Sequence, residues 1–124
     1  MNNNKWFGGF AEGEAPEKTH FKAMIVYNVT VNIEKNIHEE WLNWMLSKHI
    51  PDVMRTGCFL ENKIMRLLTE TENDGFTYAF QYICASMQDL ERYQREFAPK
   101  LQAEHSERYK DKFVAFRSIL EIVQ

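Results

Sequence analysis

Long apolar runs are missing from this chain. None approaches the roughly 18 residues of a membrane-spanning helix, so no membrane partner is expected. Met1 to Ala23 lack the continuous apolar core of a secretory leader, which points to a cytoplasmic protein. Cysteine is scarce as well. Cys58 and Cys84 fall on separate predicted strands, outside any CxxC spacing, so free thiols in a reducing compartment are expected. The 4 histidines form no cluster with cysteine, so neither a metal nor another cofactor is expected. His38 and His49 share a helix face, but eleven residues at about 1.5 Å each put them roughly 16 Å apart, too far to share an ion. No glycine-rich phosphate loop, GxSxG elbow or HExxH pair is present. Excess positive charge is also absent. A net charge of -3 gives no general attraction for phosphate backbones or anionic lipid. The acidic pairs Glu39-Glu40 and Glu70/Glu72 fall on a helix start and a turn, where solvation explains them.

The chain does hold material for a core. Of its 124 residues 44% are hydrophobic and 14% aromatic, enough for one packed domain and too apolar for a disordered chain. Residues 1–23 show no sustained period of 2 or 3.6 and read as a flexible N-terminal tail, although Trp6, Phe7 and Phe10 are aromatics that could dock. The domain is expected to span residues 24–124. Met24 to Ile33 is β-branched and aromatic, a strand. Asn36 is placed as a helix N-cap with Glu39 three residues on, and Trp41, Trp44, Met45 and Leu46 carry the helix to Pro51, which disfavours its continuation. Strands follow at about Gly57 to Thr69 and Phe76 to Ala85. The Asp74-Gly75 pair between them suits a two-residue hairpin turn that sets Leu67 opposite Tyr82 and Leu68 opposite Gln81. Ser86 caps a second helix, whose stripe Leu90, Tyr93, Phe97, Leu101 and His105 recurs at helical spacing; Pro99 should kink or split it. Phe113 to Val123 is the last strand.

The order β-α-β-β-α-β, with two right-handed crossovers sharing a hairpin, gives an α+β ferredoxin-like sandwich: a four-stranded antiparallel sheet with both helices on one face. The other face should then be polar, yet both parities of the first and last strands are apolar. The last strand sets Phe113, Ala115, Ile119 and Val123 against Val114, Phe116, Leu120 and Ile122. Burying each large side chain is worth roughly 1.5–3 kcal/mol, so a homodimer through the sheet face is expected; the tail folding over that face is the alternative.

Several residues are candidates for a site. His49 suits acid–base work or, alternatively, a favourable charge at the helix C-terminus before Pro51. His105 sits on the apolar stripe as a core histidine or a ligand contact. Trp41 and Trp44 fit either core packing or an aromatic-walled pocket for a small organic molecule. Asn28, Gln81 and Arg117 are polar residues inside apolar strands, so each must be structural or share a polar patch in a pocket or interface. An RNA-recognition module shares this element order; Tyr27, Phe76 and Tyr78 suit its stacking positions and Gly75 its glycine position. Asp74 and Gln81, however, stand where a basic and an aromatic residue are needed, and the loop is acidic. No nucleic-acid partner is expected.

The segment His49-Ile50-Pro51-Asp52-Val53-Met54-Arg55-Thr56-Gly57-Cys58-Phe59, with Tyr27-Asn28-Val29-Thr30-Val31 and Phe113-Val114-Ala115-Phe116-Arg117, resembles an uncharacterised bacterial domain of unknown function. The resemblance covers about Met24 to Val123. It implies a fold similar to the dimeric α+β barrel superfamily, whose members include cofactor-independent monooxygenases, small isomerases and haem-degrading enzymes. Among the last, an Asn on the first strand, a Trp and a late-helix His serve the haem. Asn28 and His105 stand in comparable places, while both tryptophans of the domain lie on helix one.

Overall fold

A computed structural model of the chain describes residues 23–69 and 73–124. The expected tail with Trp6, Phe7 and Phe10, and the acidic Glu70/Glu72 pair, lie outside the described residues. Strand β1 (Ile25–Ile33) is followed by a short 3-10 turn (Lys35–Ile37) and helix α1 (His38–Trp44). A π-helical turn (Met45–His49) then joins α2 (Ile50–Arg55). Strands β2 (Glu61–Arg66) and β3 (Phe76–Cys84) precede α3 (Met87–Glu96), α4 (Ala98–Arg108) and β4 (Phe113–Glu121). The sheet runs β2-β3-β1-β4, and every neighbouring pair is antiparallel. This is the ferredoxin-like sandwich read from the sequence.

Alternation decides which side chains enter the core. Tyr27, Val31 and Ile33 on β1 share a face with Tyr78, Phe80, Tyr82 and Cys84 on β3, and all are buried. Against them pack Trp41, Met45, Ile50 and Val53 from the first helical arm and Leu90, Tyr93 and Ala98 from the second. Each such side chain stabilises the fold by roughly 1.5–3 kcal/mol through burial.

Local details depart from expectation in three places. Asn36 lies inside the 3-10 turn, and α1 begins after Ile37 with no side-chain cap. Glu40 instead anchors the helix start, accepting hydrogen bonds from Arg108 (2.9 Å) and the Tyr109 hydroxyl (3.0 Å). The helix also runs through Pro51 to Arg55. A proline inside an α-helix clashes with the carbonyl four residues back, and the wider π turn just before Pro51 opens that space. The hairpin register is the third departure. Tyr82 pairs with Asn62, five residues before Leu67, and Gln81 pairs with Lys63. An odd shift swaps faces. Rather than a two-residue turn, Asn73 organises the loop: its side-chain oxygen accepts from Gly75 N at 2.8 Å, and its amide donates to Asn32 Oδ1 at 3.1 Å. A Cβ on Gly75 would come within 2.6 Å of the Ile33 carbonyl oxygen, so only glycine permits this approach.

At the second helix the sequence reading holds. Ser86 Oγ accepts from Asp89 N at 3.2 Å, and the chain breaks at Phe97 into α3 and α4 with Pro99 in the first turn of α4.

Candidate functional site

His49 closes the π turn and points toward the sheet, where α4 and β4 converge on it. Two adjoining cavities, each of about 40 Å³, lie there between helices and sheet. Both are walled by Val29, Met45, His49, Gln102 and Arg117. One extends toward Tyr27, Phe80, Tyr82 and Tyr93, the other toward His105 and Phe113. Position on the strands explains the gathering. Arg117 pairs with Val29, and Val29 with Phe80, so all three share the helix-covered face. Gln102 stands one turn before His105 on α4, which turns both toward the same cavity.

The two histidines are held differently. His105 is buried, and its Nε2 accepts a hydrogen bond from Trp41 Nε1 at 2.9 Å, so in the neutral ring the proton sits on Nδ1. Burial, with His49 and Arg117 adding repulsion, pushes its pKa down to about 4. His49 Nδ1 is buried and has no hydrogen-bond partner. The His49 ring stacks on Trp44 at 5.5 Å and lies 5.8 Å from His105. Burial lowers its pKa, opposed by the charges of Glu104 and Asp52 and reinforced by Lys48 and Arg117. Both histidines are therefore neutral at pH 7. Because the helix continues past His49, a C-terminal capping role is ruled out.

Phenols complete the wall. The Tyr27 hydroxyl accepts from Gln102 Nε2 at 3.5 Å; burial raises its pKa, with Arg117 and Gln102 pulling the other way. Burial also drives Tyr82 and Tyr93 well above the ordinary phenol range, so these groups remain protonated donors.

Of the residues singled out in the sequence, His49, His105 and Arg117 come together here. Trp41 and Trp44 stand behind the histidines, one as a hydrogen-bond donor and the other as a stacking partner. The aromatic lining comes instead from Tyr27, Phe80, Tyr82, Tyr93 and Phe113. Asn28 and Gln81 lie on the opposite, open face of the sheet, so a pocket shared with Arg117 is corrected. There Gln81 Nε2 donates to Asn28 Oδ1 (3.2 Å), and Asn28 Nδ2 donates to Thr30 Oγ1 (2.9 Å) and Ser118 Oγ (3.4 Å). Gln102 and the tyrosines were missed. Their signal was available: Gln102 is polar next to the apolar stripe of α4, Tyr27 and Tyr82 fall at core-facing strand positions, and Tyr93 lies on the apolar stripe of α3.

Tyr27, Phe76 and Tyr78 face the helices, so the aromatics expected to stack on bases are turned away from the open face. A haem does not fit: His105 directs Nε2 at Trp41, and cavities of about 40 Å³ hold only about three waters each. Among the described residues no group of three acidic, His or Cys side chains could hold a metal, and no helix is long and apolar enough to cross a membrane.

Comparison with known proteins agrees with this architecture. The family described as Domain of unknown function (DUF4286) matches residues 24–123, and the chain belongs to it. No curated protein matches the chain. Among solved structures, a dimeric ferredoxin-like protein from an uncultured marine organism is 10% identical with a TM-score of 0.57, covering 83% of this chain and 98% of that one. A dabb family protein with a ferredoxin-like fold from Mesorhizobium loti is 16% identical (TM-score 0.56; 78% and 96% covered). SnoaB, a cofactor-independent oxygenase from Streptomyces nogalater, is 13% identical (TM-score 0.58; 81% and 94% covered). At these identities the likeness is one of fold.

Proposed function

We propose that this member of the DUF4286 family is a homodimeric protein that binds a small organic molecule in the cavity between its helices and sheet, with His49, Gln102 and Arg117 as the polar contacts. The buried, unpartnered Nδ1 of His49 carries the reading. A sealed polar atom without a hydrogen bond costs roughly 1–3 kcal/mol, and a ligand that reached it would recover that cost. Its position in the wall of both cavities supports the same conclusion.

Dimerisation draws on the open face. Val114 and Phe116 are 68% and 64% exposed there, and Leu120 and Met65 extend the same apolar surface. A sheet face of this kind is a natural seat for a second copy, and one structural neighbour is dimeric. Arg117 lies on the reverse side of the same strand, so pairing through β4 would steady one wall of the cavity.

Native mass spectrometry of the purified protein tests both halves. The expected result is a dimer carrying a bound small molecule that the His49→Phe variant loses. A monomer, or a bound mass unchanged in His49→Phe, overturns the proposal.

A further inference from the structure

The cavity walls are one-sided in their chemistry. Arg117, Gln102, His49 and three phenols offer hydrogen-bond donors, yet neither cavity is lined by Asp or Glu. The acids that act on His49 from outside, Asp52 and Glu104, are already engaged. Both pair with Lys48, and Asp52 also holds Arg55. Arg117 differs: among the described residues it has no carboxylate within ion-pair distance, although its guanidinium stands in the wall of both cavities. Arg117 is exposed as a residue, yet its charge also acts on the buried Tyr27 hydroxyl, which places it between solvent and the cavity, at its mouth. Deeper in, Val29, Met45, Val53 and Phe80 are apolar.

From this we infer that the cavity takes a small organic monocarboxylate, its charged end on Arg117 and its apolar end against Val29, Met45 and Phe80. The inference rests on the small-molecule reading given above and names the ligand class. A guanidinium at a mouth meets a carboxylate with two parallel N–H donors, a geometry a lysine cannot offer. The His49 ring adds a donor once its proton sits on Nδ1, and Gln102 supplies another. Size sets the tail. The two cavities share five wall residues and each holds about three water-sized groups, so an opened cavity takes roughly six non-hydrogen atoms. That describes a short branched acid, not a fused ring system.

Isovalerate and its neutral counterpart isovaleramide are probes of matching shape. In a titration of the full-length dimer followed by NMR of the His49 ring, isovalerate is expected to give saturable shifts, with isovaleramide binding about tenfold more weakly. Arg117→Met should reduce isovalerate affinity by about tenfold and leave isovaleramide unchanged. Equal affinity of the wild-type protein for acid and amide overturns the inference while leaving a small-molecule cavity in place. Silence of His49 toward both probes also overturns it, and the broader reading is then judged separately by the bound mass and its loss in His49→Phe. The acid–amide comparison needs no variant, so it stands even if Arg117→Met folds poorly.

Discussion

On the open face of the sheet, Asn28, Gln81, Thr30 and Ser118 direct side-chain hydrogen bonds at one another, whereas on the helix-covered face His49 Nδ1 is sealed without a partner and Arg117 has no carboxylate within ion-pair distance among the described residues. The two faces belong to the same strands and lie one residue apart in sequence. A mutually bonded network serves the fold: both the amide nitrogen and the amide oxygen of buried Asn28 find partners within it. An unsatisfied one costs stability and is kept for another reason, of which ligand binding is the simplest. The contrast therefore supports reading one face as structural and the other as the proposed site.

The largest effect should come from the scaffold behind the site. Trp41 is fully buried, meets Phe80 edge-on and holds His105 Nε2. Trp41→Ala is expected to cost about 3–5 kcal/mol, measured by urea denaturation, because it opens a large void and orphans an imidazole nitrogen. A loss below about 1 kcal/mol would show that the helix-side wall is not built on this contact.

Acid should weaken the helix-covered side next. His105 titrates near 6.5 when unfolded and near 4 when folded, so the folded state binds fewer protons between those values. Stability from the neutral ring is complete above pH 6.5 and is lost as the pH falls toward 4, by roughly 3 kcal/mol in all. His105→Gln keeps an acceptor for Trp41 and should flatten this slope. Some slope will persist, since the pKa of His49 is lowered in the same sense. Denaturation at pH 7, 5.5 and 4 reads the difference, and an unchanged slope in His105→Gln would refute the assignment.

On the open face the corresponding perturbation acts on assembly. In the proposed dimer, Phe116→Lys would remove an apolar contact worth roughly 1.5–3 kcal/mol in each copy and set two charges against each other across a twofold axis. Light scattering is expected to find a monomer with little change in the monomer's own stability. A dimer that survives this substitution does not use β4.

Much of this architecture was legible in the sequence. The β-branched and aromatic run of β1, the Ser86 cap and the break near Pro99 are local signals, and each did what its chemistry requires. The site was legible only in part. His49, His105 and Arg117 stood out as polar residues among apolar neighbours, but their company depends on register. Arg117 shares a face with Val29 because β4 pairs with β1 as Ser118 opposite Asn28; one residue of slip would have turned it toward Asn28 instead. That pairing links residues 90 apart in the chain, and no local pattern encodes it. The β2–β3 hairpin fails in the same way: Asp74-Gly75 permits a tight turn, but the Asn73–Asn32 contact selects a wider one.

The smallest effects discriminate most sharply between the two faces. Gln81→Ala breaks the open-face network at one link and leaves Asn28 with an unmet acceptor, so it should cost about 0.5–1.5 kcal/mol. His49→Leu, on the covered face, removes a polar atom that has no partner to lose. It should leave stability unchanged or raise it by up to about 1 kcal/mol, because the desolvation penalty disappears and the leucine fills part of the cavity. A residue retained although an apolar one would fold better is a residue kept for function. If His49→Leu instead destabilises by more than Gln81→Ala in parallel denaturation curves, Nδ1 is satisfied in the folded state by ordered water, and the distinction between a structural face and a binding face falls with it.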